Sequence, residues 1–261
     1  MSFSLNNIFT TLTSAPASRT GIKEIAPCAR LAPYVRCFWT YSGDSVKQIR
    51  IIPDCCADII IDLHSQASGN YCGVSNRCFI SANNSALFGI RFYAWGVRMF
   101  TNANMGELFN LSYPANKIFD GIENAENDII NASNTSARVY IAQKFLLRKL
   151  CDAENSDVMN SLYLALSRSC RTNVNEMSEY CAVSRRTLER MFALNIGVSP
   201  KQMTDILRYQ LLWQACLSHD FDVGDCVEKL GYYDESHLYN DFKKYHGIGL
   251  PSARNEFYNL S

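Results

Sequence analysis

Residues 174–201 read VNEMSEYCAVSRRTLERMFALNIGVSPK, and residues 225–251 read DCVEKLGYYDESHLYNDFKKYHGIGLP. Shifted by fifty positions, Met177, Leu188, Phe192 and Gly197 fall on Val227, Leu238, Phe242 and Gly247. Ser199-Pro200 is echoed one residue out of step by Leu250-Pro251. Each copy parses as helix, tight turn, helix. In the first, residues 175–181 form a short helix, Ala182-Val183-Ser184 a turn and residues 185–194 a second helix. Leu188, Met191 and Phe192 give that second helix an apolar stripe at i, i+3 and i+4. In the second copy, residues 225–230 lead to Gly231, which tolerates the positive φ of a tight turn. Residues 235–245 then carry Leu238, Phe242 and Tyr245 at i, i+4 and i+7. Between the copies, residues 201–217 hold a helical pattern through Ile206, Leu207, Leu211 and Ala215, as a rigid spacer would. One such helical pair is an ordinary amphipathic fragment; its recurrence in the same apolar register argues against accident.

A helix-turn-helix unit packs the apolar face of its second helix on the first and turns the polar face to the DNA major groove. In the first copy the polar face holds Arg185, Arg186, Glu189 and Arg190, and arginine pairs bidentately with guanine O6 and N7. In the second it holds Glu235, Ser236, Tyr239, Asn240 and Lys243, where asparagine suits adenine and Lys243 and Lys244 suit phosphates. Two units on a stiff spacer reach successive major grooves roughly 34–36 Å apart.

These residues carry a family likeness. The run from Val174 through Ser184-Arg185-Arg186-Thr187-Leu188-Glu189-Arg190-Met191-Phe192 to Gly197-Val198-Ser199-Pro200-Lys201 resembles the first half of the AraC/XylS DNA-binding domain. Gly231-Tyr232-Tyr233-Asp234-Glu235-Ser236-His237-Leu238-Tyr239-Asn240-Asp241-Phe242, with Gly247 and Pro251, resembles its second half. The resemblance implies a seven-helix module whose third and sixth helices read DNA, in a transcription regulator that contacts RNA polymerase. Tyr232-Tyr233 and Leu250 depart from the family's usual residues and leave the base preference of the second unit open.

Upstream, residues 34–41, 49–53, 57–63 and 86–93 are short runs rich in β-branched and aromatic residues. Turn-forming clusters at Ser42-Gly43-Asp44, Ser68-Gly69-Asn70 and Ala82-Asn83-Asn84-Ser85 separate them. They predict an antiparallel barrel or sandwich. Residues 122–132 and 136–151 then read as helices, the second with Val139, Ala142, Phe145, Leu146 and Leu150 along one face. The fold class is therefore α+β: an antiparallel β-barrel with closing helices, then an all-α double helix-turn-helix domain. The expected divisions are a flexible arm over 1–21, a sensing and dimerisation domain over 22–154 and a DNA-binding domain over 155–261, hinged at Asn155-Ser156-Asp157. Ile51 to Ile60, Gly73 and Phe88-Gly89-Ile90-Arg91-Phe92 resemble the cupin-like sensing domain of one branch of the same regulators. Ala94-Trp95-Gly96 replaces that branch's usual Pro-Gly. This likeness implies effector sensing and a homodimer formed through residues 122–151.

A small-molecule pocket needs apolar walls and a few orienting polar groups. Phe38, Trp39, Phe88 and Trp95, with Arg50, Asp54 and Arg91, are the candidates for effector binding. The alternative is that these aromatics simply fill the core and Asp54 pairs with Arg91. Control by a partner protein, or by cysteine thiol or oxidant chemistry at Cys55-Cys56, are further readings of the same half.

The 261 residues carry 25 basic and 25 acidic groups and no net charge. Residues 1–155 hold 14 basic and 12 acidic side chains and residues 156–261 hold 11 and 13, so DNA affinity must come from local placement of cations. The eleven cysteines contain no C-x-x-C pair and follow no zinc-finger spacing. His64 is the one histidine before residue 200, which disfavours a cupin-type metal centre. No P-loop, nucleotide fold fingerprint, nucleophile elbow or H-E-x-x-H is present. No catalytic residue, metal or cofactor is expected. No membrane-length apolar run or secretory leader is present, which suggests a cytoplasmic protein.

Overall fold

The computed structural model describes residues 5, 8–15, 20–43, 47–83, 85–151 and 156–259. Eight strands come first: β1 (Ile22–Ile25), β2 (Val35–Tyr41), β3 (Lys47–Ile51), β4 (Cys56–Asp62), β5 (Asn70–Cys72), β6 (Phe79–Asn83), β7 (Leu87–Tyr93) and β8 (Ser112–Pro114). Six of them form one antiparallel sheet in the order β1-β2-β7-β4-β5-β8, while β3 and β6 pair as a separate ribbon. The expected barrel is therefore an open sheet accompanied by a two-stranded ribbon, because β3 and β6 pair with each other and with neither edge of the larger sheet among the described residues.

Strand alternation gives the central strands two different faces. One face carries Phe38, Ile59, Ile61, Phe88, Ile90 and Phe92, all buried in the main core. Phe38 and Phe88 stack there at 6.2 Å, and Phe92 lies between Phe100 and Phe119. The other face carries Cys37, Trp39, Tyr41 and Leu87, with the polar pair Asp58 and Arg91 in register beside them. Gly89 lies directly under Trp39, where an added Cβ would come within 1.9 Å of the indole. Only glycine lets the ring lie that close to the sheet.

Helices α1 (Ile122–Asn131) and α2 (Thr135–Lys149) close the sheet domain. Of the predicted stripe, Val139, Ala142, Phe145 and Leu146 are buried within the chain and Leu150 is a half-buried C-cap just past the helix, and the outer side of α2 shows Tyr140, Lys144 and Arg148. Of the expected hinge, Asn155 lies outside the described residues, while Ser156 and Asp157 open α3 (Ser156–Ser167). Six more helices follow: α4 (Val174–Tyr180), α5 (Arg185–Asn195), α6 (Pro200–Cys216), α7 (Val223–Leu230), α8 (Glu235–His246) and α9 (Leu250–Asn259). With α3 they make the seven of the resemblance.

The stretch expected as a loose arm is packed where it is described. Leu5, Phe9, Thr11 and Ser14 are buried, and residues 10–14 run between the sheet domain and α6. The Gln210 side chain receives the Leu12 N–H at 2.8 Å and donates to the carbonyls of Leu12 at 3.1 Å and Pro53 at 2.7 Å. Trp213 Nε1 donates to Thr13 O at 3.0 Å, and Gln214 donates to Thr10 O. Backbone groups of a buried segment need partners, and the polar side chains of α6 supply them. Polarity of composition alone hid this.

His246 closes α8 inside an aromatic cluster with Trp213 at 4.6 Å and Phe242 at 4.8 Å. Its Nδ1 lies 2.9 Å from Tyr209 OH. Burial first, and the Arg50 charge second, lower its pKa from 6.5 to about 3. The unfolded chain thus takes up a proton between those values that the folded chain refuses. Stability from this group is complete above 6.5 and falls as pH drops toward 3, by up to about 1.4 kcal/mol per pH unit. Urea titrations of the wild type and His246→Gln across that window should differ in slope by about this amount; parallel profiles would show that His246 is not the group concerned.

Candidate nucleic-acid interface and adjoining pocket

In the first unit, Asn173 caps α4 by accepting from the amides of Asn175 and Glu176. Ala182 turns the chain with a left-handed φ of +54°, and Ser184 caps α5 by accepting from Thr187 N–H at 3.1 Å. Leu188 and Phe192 are fully buried, so rotation of α5 is fixed and the opposite side faces outward. Arg186 and Arg190 are exposed there, while Arg185 is exposed at the first residue of the helix and pairs with Glu189 at 2.9 Å.

The second unit repeats the design with one change. Its left-handed residue is Gly231, at φ +69°, one step earlier in the repeat than Ala182. Asp234, fifty residues from Ser184, caps α8 by accepting from His237 N–H at 2.7 Å. Leu238 and Phe242 are fully buried, and Glu235, Ser236, Tyr239, Asn240 and Lys243 are exposed on the outer side. Tyr233, just before the helix, is 90% exposed and stands at the tip of the turn. Sequence reading missed it as a candidate contact, although its departure from the family pattern was the available signal.

Between the units α6 starts with Pro200 at its first turn and a reciprocal cap between Ser199 and Gln202. Arg208 on α6 reaches Asp205 at 3.2 Å and Asp241 of α8 at 3.5 Å, and its guanidinium lies 4.8 Å from the Tyr232 ring centre. Two of the acidic groups that offset the domain's cations are thus engaged by Arg208 inside the module. The exposed face of α5 keeps Arg186 and Arg190, which accounts for local cation placement in a half with little net charge.

The sheet domain touches the C-terminal ends of both outward-facing helices. A Cβ on Gly197, after α5, would meet Met105 O at 2.4 Å, and one on Gly247, after α8, would meet Cys78 Sγ at 2.2 Å. Arg50 of β3 also pairs with Glu256 of α9 at 3.5 Å.

A cavity of about 40 Å³ lies between the polar face of the sheet, β3 and residues 13, 14 and 20 of the N-terminal stretch. Trp39, Arg50, Asp54 and Arg91 of the candidate set line it, together with Thr13, Ser14 and Glu24. Arg91 holds Asp58 through Nε at 3.0 Å and Nη2 at 3.2 Å, and stands 3.6 Å from Asp54. Trp39 Nε1 donates to Asp58 at 2.8 Å. Phe38, Phe88 and Trp95 are not brought to this cavity. The first two lie on the opposite face of the sheet, and Trp95 stacks on Tyr93 at 4.7 Å while donating to Pro33 O. Cys37, Cys55 and Cys56 are buried. Burial pushes the Cys37 thiol up to about 12 and the other two well above their ordinary value. Groups of metal-ligating side chains are absent among the described residues. No helix among those residues is long and apolar enough to cross a membrane.

Comparison with known proteins agrees with the module just described. Residues 177–254 match a family described as a helix-turn-helix domain, and residues 23–114 match a domain of unknown function (DUF6597). No curated protein matches the chain. Among solved structures it is similar to ToxT of Vibrio cholerae O395, at 9% identity and a TM-score of 0.43, over 92% of this chain and 98% of that one. A second crystal form of ToxT from Vibrio cholerae gives 10% identity and a TM-score of 0.43, covering 91% and 97%. An apo variant of ToxT from Vibrio cholerae strain SCE256 gives 11% and 0.40, covering 89% and 95%. Two capped helix-turn-helix units on one spacer helix define a DNA-binding protein of the double helix-turn-helix class. Residues 177–254 of the chain are thus a helix-turn-helix domain.

Proposed function

We propose that this is a sequence-specific, homodimeric transcription regulator whose sensing domain, residues 22–154, controls the DNA-binding domain, residues 155–261, in response to a small-molecule effector. The observation that carries the proposal is the continuity of residues 10–14. They wall the cavity through Thr13 and Ser14 and, on the same few residues, hydrogen-bond Gln210, Trp213 and Gln214 of the spacer helix. A ligand that displaces them changes the support of α6, on which both reading units are mounted. Effector binding then shifts the population between arrangements that fit successive major grooves and arrangements that do not. Arg186 and Arg190 of α5 and Asn240 and Lys243 of α8 are the base and phosphate contacts, with Arg185, Glu189, Glu235, Ser236 and Tyr239 around them. The outer stripe of α2, Tyr140, Lys144 and Arg148, is the dimer contact. High thiol pKa values speak against cysteine chemistry as the signal.

Selection of genomic fragments by the purified protein at moderate salt tests the reading. Enrichment of a motif with two half-sites about one helical turn apart is the expected result. Recovery of unrelated fragments that dissociate together as salt rises would mean backbone attraction alone and would refute sequence-specific regulation.

A further inference from the structure

The two outward-facing helices share one frame and differ in what they show. Shifted by fifty residues, Arg186 and Arg190 of α5 fall on Ser236 and Asn240 of α8, and Glu189 falls on Tyr239. Val183, half-buried beside the cap of α5, falls on Tyr233, which is 90% exposed beside the cap of α8. Residues 185–191 contain three arginines, whereas residues 235–241 contain no arginine or lysine. The buried residues Leu188 and Phe192 coincide with Leu238 and Phe242, so the replacements fall on the same sides of the two helices. At the turn, Tyr232 is buried under the Arg208 guanidinium. The Tyr233 amide donates to His237 Nδ1 at 3.4 Å, which ties the turn to α8 while the phenol projects outward. Tyr239 is exposed in the second turn of the helix.

These differences select a base pair. Guanine offers the major groove only the acceptors O6 and N7, and the first two turns of α8 carry no guanidinium or ammonium to meet them. The exposed carboxylates of Asp234 and Glu235 at the start of the helix repel such acceptors. Adenine offers an acceptor and a donor that an asparagine amide matches, and thymine alone offers a methyl group. A tyrosine ring supplies the apolar surface against which a methyl group loses its water. The N-terminal residues of a reading helix are the ones that reach base edges, and Tyr233 and Tyr239 flank that end of α8. We propose that Tyr233 and Tyr239 read thymine C5-methyl groups beside an adenine held by Asn240, so that α8 recognises A·T pairs while α5 recognises guanine. This rests on the sequence-specific reading above and names the bases of its second unit. The operator is therefore asymmetric, with a guanine-bearing half-site and a thymine-bearing one.

The test uses the full-length protein on the operator obtained by fragment selection. Synthetic duplexes carry deoxyuridine in place of every thymine of one half-site at a time, which removes methyl groups and leaves every hydrogen-bonding group in place. Band shifts with the wild type should weaken about fourfold for each methyl contacted, in one half-site only. Tyr233→Ala/Tyr239→Ala alters two exposed side chains, and its melting curve checks the fold. That variant should bind the thymine and uracil duplexes equally. Equal binding of the two duplexes by the wild type, with the operator still preferred over scrambled DNA, would overturn the methyl reading and leave sequence-specific regulation standing. A uracil loss that persists in the double variant would overturn the assignment to these tyrosines. Failure to select any operator would overturn both readings.

Discussion

The double substitution Arg186→Ala/Arg190→Ala is expected to remove sequence-specific DNA binding while leaving the melting temperature close to that of the wild type. Both side chains are exposed on α5, four residues apart and therefore on one helix face, and neither contributes to the buried stripe of Leu188 and Phe192. An arginine that reads a guanine is worth about 1–3 kcal/mol of specific binding. Losing two brings the specific complex toward the nonspecific background. Arg185→Ala is the internal contrast. Arg185 already lies against Glu189 at 2.9 Å on an exposed surface, so its charge is partly answered within the protein, and its removal should cost less than either neighbour. Quantitative band-shift assays on the selected operator, repeated on a scrambled sequence, separate the cases. Equal losses on both DNAs would make these arginines phosphate contacts. Unchanged operator affinity in the double variant would take α5 out of the interface.

Legibility was uneven along the chain, and the reason is locality. Helices α4 to α8 fall within a residue or two of their expected bounds, because periodicity, caps and turn residues are all written within a few positions of one another. Strands β2, β4 and β7 were visible for the same reason, being seven-residue runs in the centre of the sheet. Strands β1, β5, β6 and β8 were not. β8 is wholly exposed, β5 begins inside a segment that reads as a turn, and β6 leaves Phe79 and Ile80 half-exposed. Their state comes from partners ten or more residues away, as in the pairing of Tyr71 with Tyr113. The pocket shows the same limit at the scale of single side chains. Trp39 and Phe38 are adjacent and equally aromatic, yet one lines the cavity and the other lies in the opposite core. Which face held the cavity was set by Gly89, Asp58 and Arg91 on other strands. Thr13 and Ser14 were missed because a polar N-terminal stretch gives no sign that Gln210 and Trp213 are waiting for its carbonyls.

Phe192→Ala and Phe242→Ala should each cost about 3–5 kcal/mol of stability. Both rings are fully buried at repeat-equivalent positions, so truncation removes transfer energy and leaves a cavity that rigid neighbours cannot fill. The surroundings differ, however, and so should the consequences. Phe242 is held by aromatic contacts from the spacer and from its own helix: Tyr209 at 5.7 Å, Trp213 at 5.8 Å and His246 at 4.8 Å. Trp213 in turn carries the hydrogen bond to Thr13 that ties the N-terminal stretch to α6. Loss of Phe242 therefore loosens the joint between sensing domain and spacer as well as the second unit. Among the described residues no ring contact or hydrogen bond joins Phe192 to the N-terminal stretch, and its loss should act on the first unit. Denaturant unfolding gives the two stability changes. Hydrogen exchange then separates them: Phe242→Ala should deprotect the amides of residues 11–13 along with α8, whereas Phe192→Ala should deprotect α4 and α5 first. Wild-type melting in either variant would mean that the repeat is a coincidence of sequence and that its stripe is not core. Identical exchange patterns in the two variants would mean that the C-terminal module unfolds as one unit, and that Phe242 has no separate hold on the sensing domain.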